Sequence, residues 1–474
     1  MADLVNIKIG SRSIDLPDLQ QICVGDFCAE IPQGGGGASG SWDDPVRFID
    51  YDGTLLHSYS AADFMALDAL PDNPSHQGLT AQGWNWSLAS AKAQLTAMGA
   101  CDIGQCYVTD DGKTRLYIEL KEGRLSPYLC ICPQGNVTVS WGDGSTGTFT
   151  GTSTETRKSL NHTYAAPGKY VISLEPTTGS KFAISCGTPM NTGLRILQTD
   201  NDSYGERSSY VYTSTIKKIE LGSNVSLGPA AFWGCNGLET ITIPENLNFD
   251  RDVFHLCANL RSITVPNGVT EIGEYGIGLI PNMIAISLPC GLTTLGTRSL
   301  STCGAKHLSL PYTVTSINTF ALSGIAATHI VIPGDISAGS TTYNATGTPM
   351  IRSIVLKSAT DIGKQAFQGV TPLVNIELPD TVTSIGQQAF QACSSLASIT
   401  IPRNVTSIGT KAFYNCYGLG AIHFKPITPP VAASSDVWSG VPTSCKIYVP
   451  AGSLSAYTSA QYYPSSGTYT YVEE

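Results

Sequence analysis

The sequence predicts a multidomain, mainly-β chain built from a small α+β module, a β-sandwich and a long C-terminal solenoid. Three observations carry this. An alternating apolar phrase recurs eleven times between residues 219 and 449. Two further alternating stretches, 137–141 and 170–174, bracket a Gly-Asp-Gly turn. Helix start and stop signals occur in two short segments before residue 100. Charged residues make up 14% of the 474, with 27 Lys and Arg against 37 Asp and Glu. That acidic, thinly charged composition argues against nucleic acid, whose phosphates need clustered cations. It also argues against a highly charged disordered chain or a coiled coil.

Taken in order, residues 1–33 form a leader or attachment segment. Its start, Met1 to Lys8, has no basic stretch followed by an apolar run, so no secretion signal is expected. The composition of Gly34–Ser41 is that of a flexible linker. The α+β module spans 42–126. Ser60 can cap a helix over 61–70 stopped by Pro71, and Ser87 one over 88–98 ended by Gly99. Hairpins are expected at Asp52-Gly53 and at Asp111-Gly112. No apolar run reaches membrane-spanning length; the nearest, 275–288, is broken by Pro281 and Asn282.

Residues 127–178 form the sandwich and 194–450 the solenoid. The repeated phrase starts at 219, 241, 263, 286, 308, 330, 354, 376, 399, 422 and 447, with steps of 22 to 25 residues. A second short strand recurs between copies, as in Val-Thr-Ser-Ile at 314, 382 and 405, followed by a turn or helical piece around an apolar anchor such as Phe390. One repeat cannot bury such a Phe, whereas stacked repeats can. The units near 275 and 340 lack the Ala-Phe pair, so local irregularity is expected there. Prolines close most strands, where a missing N–H should cost least. Of the 14 cysteines, Cys235, Cys257, Cys303, Cys393 and Cys416 each follow the anchor by three, which predicts a column of small buried side chains. The close pairs 23/28, 101/106 and 130/132 lack the C-x-x-C spacing of a zinc or redox site.

These phrases carry resemblances. "VTSIGQQAFQACSSLASITIP" resembles the BspA-type leucine-rich repeat of bacterial and phage surface proteins, and 451–474 is similar to the cap and tail that close such arrays. "VTVSWGDGSTG" with "NHTYAAPGKYVISL" resembles the polycystic-kidney-disease-type (PKD) immunoglobulin-like domain, which implies an immunoglobulin-like sandwich serving as a spacer or adhesion module. The order of segments is similar to surface proteins of gut bacteriophages and prophages. That implies a virion structural protein, tail-fibre-like or head-decorating, made in the host cytoplasm and held to other virion proteins by its N-terminal region. Its repeats would bind a host-surface or mucosal glycan or protein. A bacterial cell-surface adhesin is the alternative, and a homo-oligomer is open in either case.

"VRFIDYDGTLL" resembles the first motif of haloacid-dehalogenase-type phosphatases, which would make Asp50 the nucleophile and Asp52 the acid/base. The same letters read as a strand and a hairpin turn, and the following residues pattern as a second hairpin rather than a crossover unit, so no enzyme and no cofactor is expected. Trp141-Gly142-Asp143-Gly144-Ser145 reads as a turn, lacking the spaced oxygen donors of a calcium loop. The solenoid offers a surface instead. The outward residue of each strand reads Thr242, Thr264, Ser287, Ser309, Val331, Val355, Glu377, Thr400, His423 and Tyr448. The polar members of this row, with Tyr448, form a candidate ligand face, or else a solvated sheet. The tyrosines after 456 either contact ligand or seal the last repeat.

Overall fold

The computed structural model describes residues 41–185, 196–198, 210–333 and 350–474, with the backbone of four short strands between 6 and 30. Those strands pair as two antiparallel hairpins, Asn6–Ile9 with Arg12–Asp15 and Gln21–Val24 with Phe27–Glu30. Nearly all of the linker and the unit near 340 lie outside the described residues.

From Ser41 to Thr109 a four-stranded sheet carries two helices, in the strand order 55–59, 46–49, 101–109, 79–84. The hairpin at Asp52-Gly53 forms, with Gly53 at φ +89° and the Asp52 carboxylate accepting Thr54 N–H. Ser87 and Ser90 make a capping box for Leu88–Met98, and Gly99 closes that helix at φ +80°. The first helix stops at Met65, short of residue 70. There the Leu67 carbonyl accepts the Lys92 ammonium at 2.7 Å instead of continuing the helical ladder.

The second expected hairpin does not form. A tight turn exists at Asp111-Gly112, with Gly112 N–H donating to Thr109 O, but the two strands part after it. Cys101–Thr109 pairs in parallel with Val46–Ile49, which is the crossover connection the sequence reading discounts. Thr114–Leu120 pairs antiparallel with both Gly168–Pro176 and Ile216–Glu220. One sheet therefore runs through 225–227, 181–184, 128–140, 168–176, 114–120, 216–220 and 240–242. The boundary drawn at 126/127 falls inside this ladder, and so does the step into the first repeats. Its core is continuous as well: one buried apolar cluster extends from Leu116 to Tyr457. A separate small core, around Val46, Phe48, Phe64, Trp84, Trp86 and Leu95, belongs to residues 41–109.

The repeats stack in register, for example Ile263 on Ile286, Ile354 on Ile376 and Ile399 on Ile422. Anchors stack likewise: Phe367, Phe390, Phe413 and Trp438 follow one another at 5.2–5.4 Å, each ring within 19° of parallel. Burying one such ring contributes roughly 1.5–3 kcal/mol. The predicted cysteine column is buried, and it does more than fill space. The thiols of Cys257, Cys393 and Cys416 donate to the carbonyls of Phe232, Phe367 and Phe390 one repeat earlier, each at 3.1 Å.

The piece around each anchor is a turn with a second function. Two residues flanking the anchor take the left-handed conformation, such as Gln388 and Ala392 or Lys411 and Asn415, at φ +57° to +61°. The N–H groups of this turn point along the solenoid. Gln388, Phe390 and Ala392 thus donate to Thr410, Ala412 and Tyr414 of the next repeat at 2.8–2.9 Å. A left-handed non-glycine residue costs about 1–2 kcal/mol, and this ladder offsets the cost where described neighbours stack, as from 388–392 onto 410–414. The unit near 275 follows the same plan despite its letters: Tyr275 and Leu279 are left-handed, and Ile277 takes the anchor slot.

Candidate functional site

The candidate ligand face is divided by its surroundings. Thr242, Thr264 and Ser287 are buried, at 0, 4 and 1% exposure, because residues 82–109 lie across them. Ser309 is half-buried at the edge of this cover, donating its N–H to Asp102 and facing the Arg47 guanidinium. These four positions are an internal interface, which corrects their place in a ligand face. Glu377 and Thr400 are exposed, and His423 and Tyr448 are half-buried and stacked at 4.3 Å. Glu474 reaches His423 at 3.0 Å and Lys425 at 2.7 Å. Lys425 first and His423 second hold its carboxyl below the usual carboxylate range. The rungs from Val331 onward thus keep an accessible outward face.

The cover is held by close approach and by polar pairing. A side chain at Gly104 would meet the Thr264 hydroxyl at 2.3 Å and Ser287 Cβ at 2.8 Å, so only glycine lets the strand lie this near. Arg47 Nε pairs with Asp102 at 2.6 Å with both side chains buried, while Nη1 donates to the carbonyls of Trp42 and Asp44 and Nη2 to the Ser309 hydroxyl. Trp42 stacks on His307 at 5.7 Å, where the cover ends.

The strand-end prolines explain where the covering donors go. In a parallel ladder the carbonyl ending one strand accepts from the N–H one place beyond its partner on the next strand. In five successive steps that place holds Pro244, Pro266, Pro289, Pro311 and Pro333, which have no N–H. The carbonyls left over belong to Leu221, Ile243, Val265, Leu288 and Leu310. The backbone N–H groups of Thr109 and Tyr107 donate to the first two at 3.3 Å. Asn85 Nδ2, Trp86 Nε1 and Gln94 Nε2 donate to the other three at 2.8–2.9 Å. The missing N–H therefore has a consequence that a strand-end reading overlooks: it leaves an acceptor on the previous rung. Proline spacing in the sequence was the signal for it.

The other candidates resolve as follows. Asp50 is buried and accepts from the Tyr107 hydroxyl and Tyr51 N–H, each at 2.8 Å, with His76 Nε2 at 2.7 Å. Burial first and the Asp50 charge second raise the Tyr107 pKa well above its ordinary value. Asp52 sits at the turn tip, capping Thr54. Asp143 accepts from Ser145 and faces His162 at 2.7 Å, and these partners, Ser145 foremost, draw its pKa down to about 2. Among the described residues no group of three His, Cys, Asp or Glu is placed to hold a metal ion, and no helix is long and apolar enough to cross a membrane. Cys132 is disulfide-bonded. The terminal tyrosines seal the array: Tyr457 is fully buried against Phe424, and the hydroxyls of Tyr457, Tyr463, Tyr469 and Tyr471 donate to main-chain carbonyls.

Residues 200–278, 279–346 and 341–429 match the BspA type leucine rich repeat region, in six copies. Among solved structures, a leucine-rich repeat protein from Bacteroides ovatus is 22% identical, over 58% of this chain and 88% of that one, with a TM-score of 0.31. A leucine rich cell surface protein from Faecalibacterium prausnitzii is 20% identical over 51% and 76%, with a TM-score of 0.29. The pneumococcal vaccine antigen PcpA is 14% identical over 59% and 84%, at 0.31. No curated protein matches the chain.

Proposed function

We propose that this chain, whose C-terminal half is a BspA-type leucine-rich-repeat array, is a surface-displayed binding protein. It attaches to a host-surface or mucosal glycan or protein through the open rungs of the array. One observation carries the reading: the outward face is covered by the chain itself as far as Ser309 and is accessible at Glu377, Thr400, His423 and Tyr448. An extended solenoid face of this kind engages partners. The reading assigns no catalysis to the chain, since Asp50 is engaged by Tyr107, Tyr51 and His76.

The finer reading places the protein on a bacteriophage virion, tail-fibre-like or head-decorating, with its N-terminal region against other virion proteins. What supports it is the order of leader, glycine linker, module, PKD-like spacer and repeats. The resemblance of the repeat phrase to repeats of bacterial surface proteins supports a cell-surface adhesin as the second reading. Immunogold microscopy of purified particles and of whole cells separates the two; unlabelled particles beside labelled cells would sink the virion. Binding itself is tested with the full chain on glycan arrays and immobilised mucin. Thr400→Arg with Glu377→Arg should weaken a positive signal at least about tenfold, because two bulky cations are added to the open face. A signal unchanged by that pair, or none on any surface, contradicts the proposed role.

A further inference from the structure

The strand Thr146–Thr152 forms an outer edge of its sheet. It pairs with the stretch 134–140 without a register break, from Thr146 on Ser140 to Thr152 on Gln134, and with no other strand among the described residues. Gly168–Pro176 takes the opposite side of the same partner. The ladder fixes which backbone groups face out. Asn136, opposite Thr150, sends its N–H to the Ser180 hydroxyl and accepts Thr177 N–H on its carbonyl, both on the far side. In an antiparallel pair both residues then turn these groups away from each other, and the pattern alternates along the strand. Thr146, Thr148, Thr150 and Thr152 therefore each present an N–H and a C=O to the open edge, and no backbone partner among the described residues reaches them. These four residues are exposed, whereas Phe149 is buried. The glycines face inward with Phe149: a side chain at Gly151 would meet the Pro133 carbonyl at 2.2 Å.

Folded proteins commonly guard such an edge with a charge, a proline or a bulge. Two other terminal strands here are guarded, by Lys158 in the edge strand 158–161 and by Glu473 in the strand that ends the array. Thr146–Thr152 has none of the three, and it reads the same in both directions, Thr-Gly-Thr-Phe-Thr-Gly-Thr. We infer that this edge pairs antiparallel with the same edge of a second copy of the chain, about a twofold axis at Phe149. The palindrome then sets Thr148 opposite Thr150, and Thr146 opposite Thr152, of the partner copy. Each is a pair whose N–H and C=O groups already point at one another, with Cα atoms about 5.5 Å apart. Thr stands against Thr on the solvent face, a favourable cross-strand pairing, and Gly against Gly on the inner face. A patch that meets itself in this way closes as a dimer. One strand edge covers less than the roughly 1,000 Å² of a free-standing complex, so the pairing is weak in dilute solution and strengthens where copies are held side by side.

Sedimentation equilibrium of the full-length chain from ~5 to ~500 µM provides the test. The weight-average mass should rise with concentration toward twice that of one chain. Thr148→Pro removes an outward N–H that the chain's own ladder does not use, and an edge strand tolerates proline there. Thr148→Lys with Thr150→Lys sets like charges opposite one another and keeps every backbone donor, so the test stands even if proline disturbs the strand. Each variant should weaken association at least about tenfold, with thermal midpoints within about 3 °C of the parent. Register is read with single cysteines. Under oxidised glutathione, a mixture of Thr148→Cys and Thr150→Cys chains should give severalfold more disulfide-linked dimer than either variant alone, because position 148 meets position 150 of the partner copy. A parent that stays monomeric throughout the range, association that the lysine pair leaves unchanged, or crosslinking no greater in the mixture than in the single variants overturns the inference. None of these outcomes touches the binding role of the open rungs.

Discussion

The rungs starting at 219–308 and those starting at 330–447 are written in one repeating phrase and share one register, yet the first set is an interface and the second a surface. Their outward residues do not explain the split, since Thr242 and Thr264 are buried while Thr400, in the same column, is exposed. Proline at the strand ends does not explain it alone either, because both sets carry it. What differs is supply. Residues 82–109 bring a donor to each of five successive carbonyls, and the cover stops where Lys357 first closes the ladder from within. Repetition sets the geometry of a site, and a segment distant in sequence decides which copies are occupied.

That contrast can be broken from the covered side. Arg47→Met should have the largest effect, about 3–5 kcal/mol, because it strands the buried Asp102 carboxylate. Urea unfolding followed by tryptophan fluorescence checks it, since Trp42, Trp84 and Trp86 all belong to the covering layer; an unchanged midpoint would mean that the pair holds nothing. Next, Gly104→Ala should cost about 1–3 kcal/mol by pushing the strand off Thr264 and Ser287. Limited proteolysis should then cut within 41–109 before it cuts the repeats, and simultaneous loss of both regions would contradict the expectation. Gln94→Leu leaves Leu310 O and Tyr312 N–H without partners, for about 1–3 kcal/mol. Its readout is faster amide exchange at Tyr312. At the small end, Thr400→Val on the open face should stay within about 0.5 kcal/mol by calorimetry; a larger loss would show that this face too is held by something in the chain.

How much of this was legible depended on whether the determining contact was local. Stacked anchors and buried cysteines follow from a 22- to 25-residue period, because each copy meets only its neighbours. The turn at Asp52-Gly53 and the caps at Ser60 and Ser87 are equally local. The parting of strands at Asp111-Gly112 was not readable, since Thr114–Leu120 alternates buried and half-buried residues whichever sheet receives it. Nor was the cover. A column of Thr and Ser looks the same under water as under Gly104, and the relevant partners lie some 160 to 220 residues away. The sealing role of the terminal tyrosines was undecidable for the same reason: their hydroxyl partners include Pro426, Pro430 and Val441. One overlooked signal was in plain view, the replacement of strand-end proline by Lys357 and Lys425.

The turn ladder, in which neighbouring described repeats donate one to the next, makes interior repeats interchangeable modules between two fixed ends. Among the open rungs, a duplicated unit could enter between Leu356 and Phe424 and only lengthen the array. Between Leu221 and Leu310 the same duplication would slide part of the row of five carbonyls away from donors that cannot follow. Length variation among related chains should therefore accumulate in the open half.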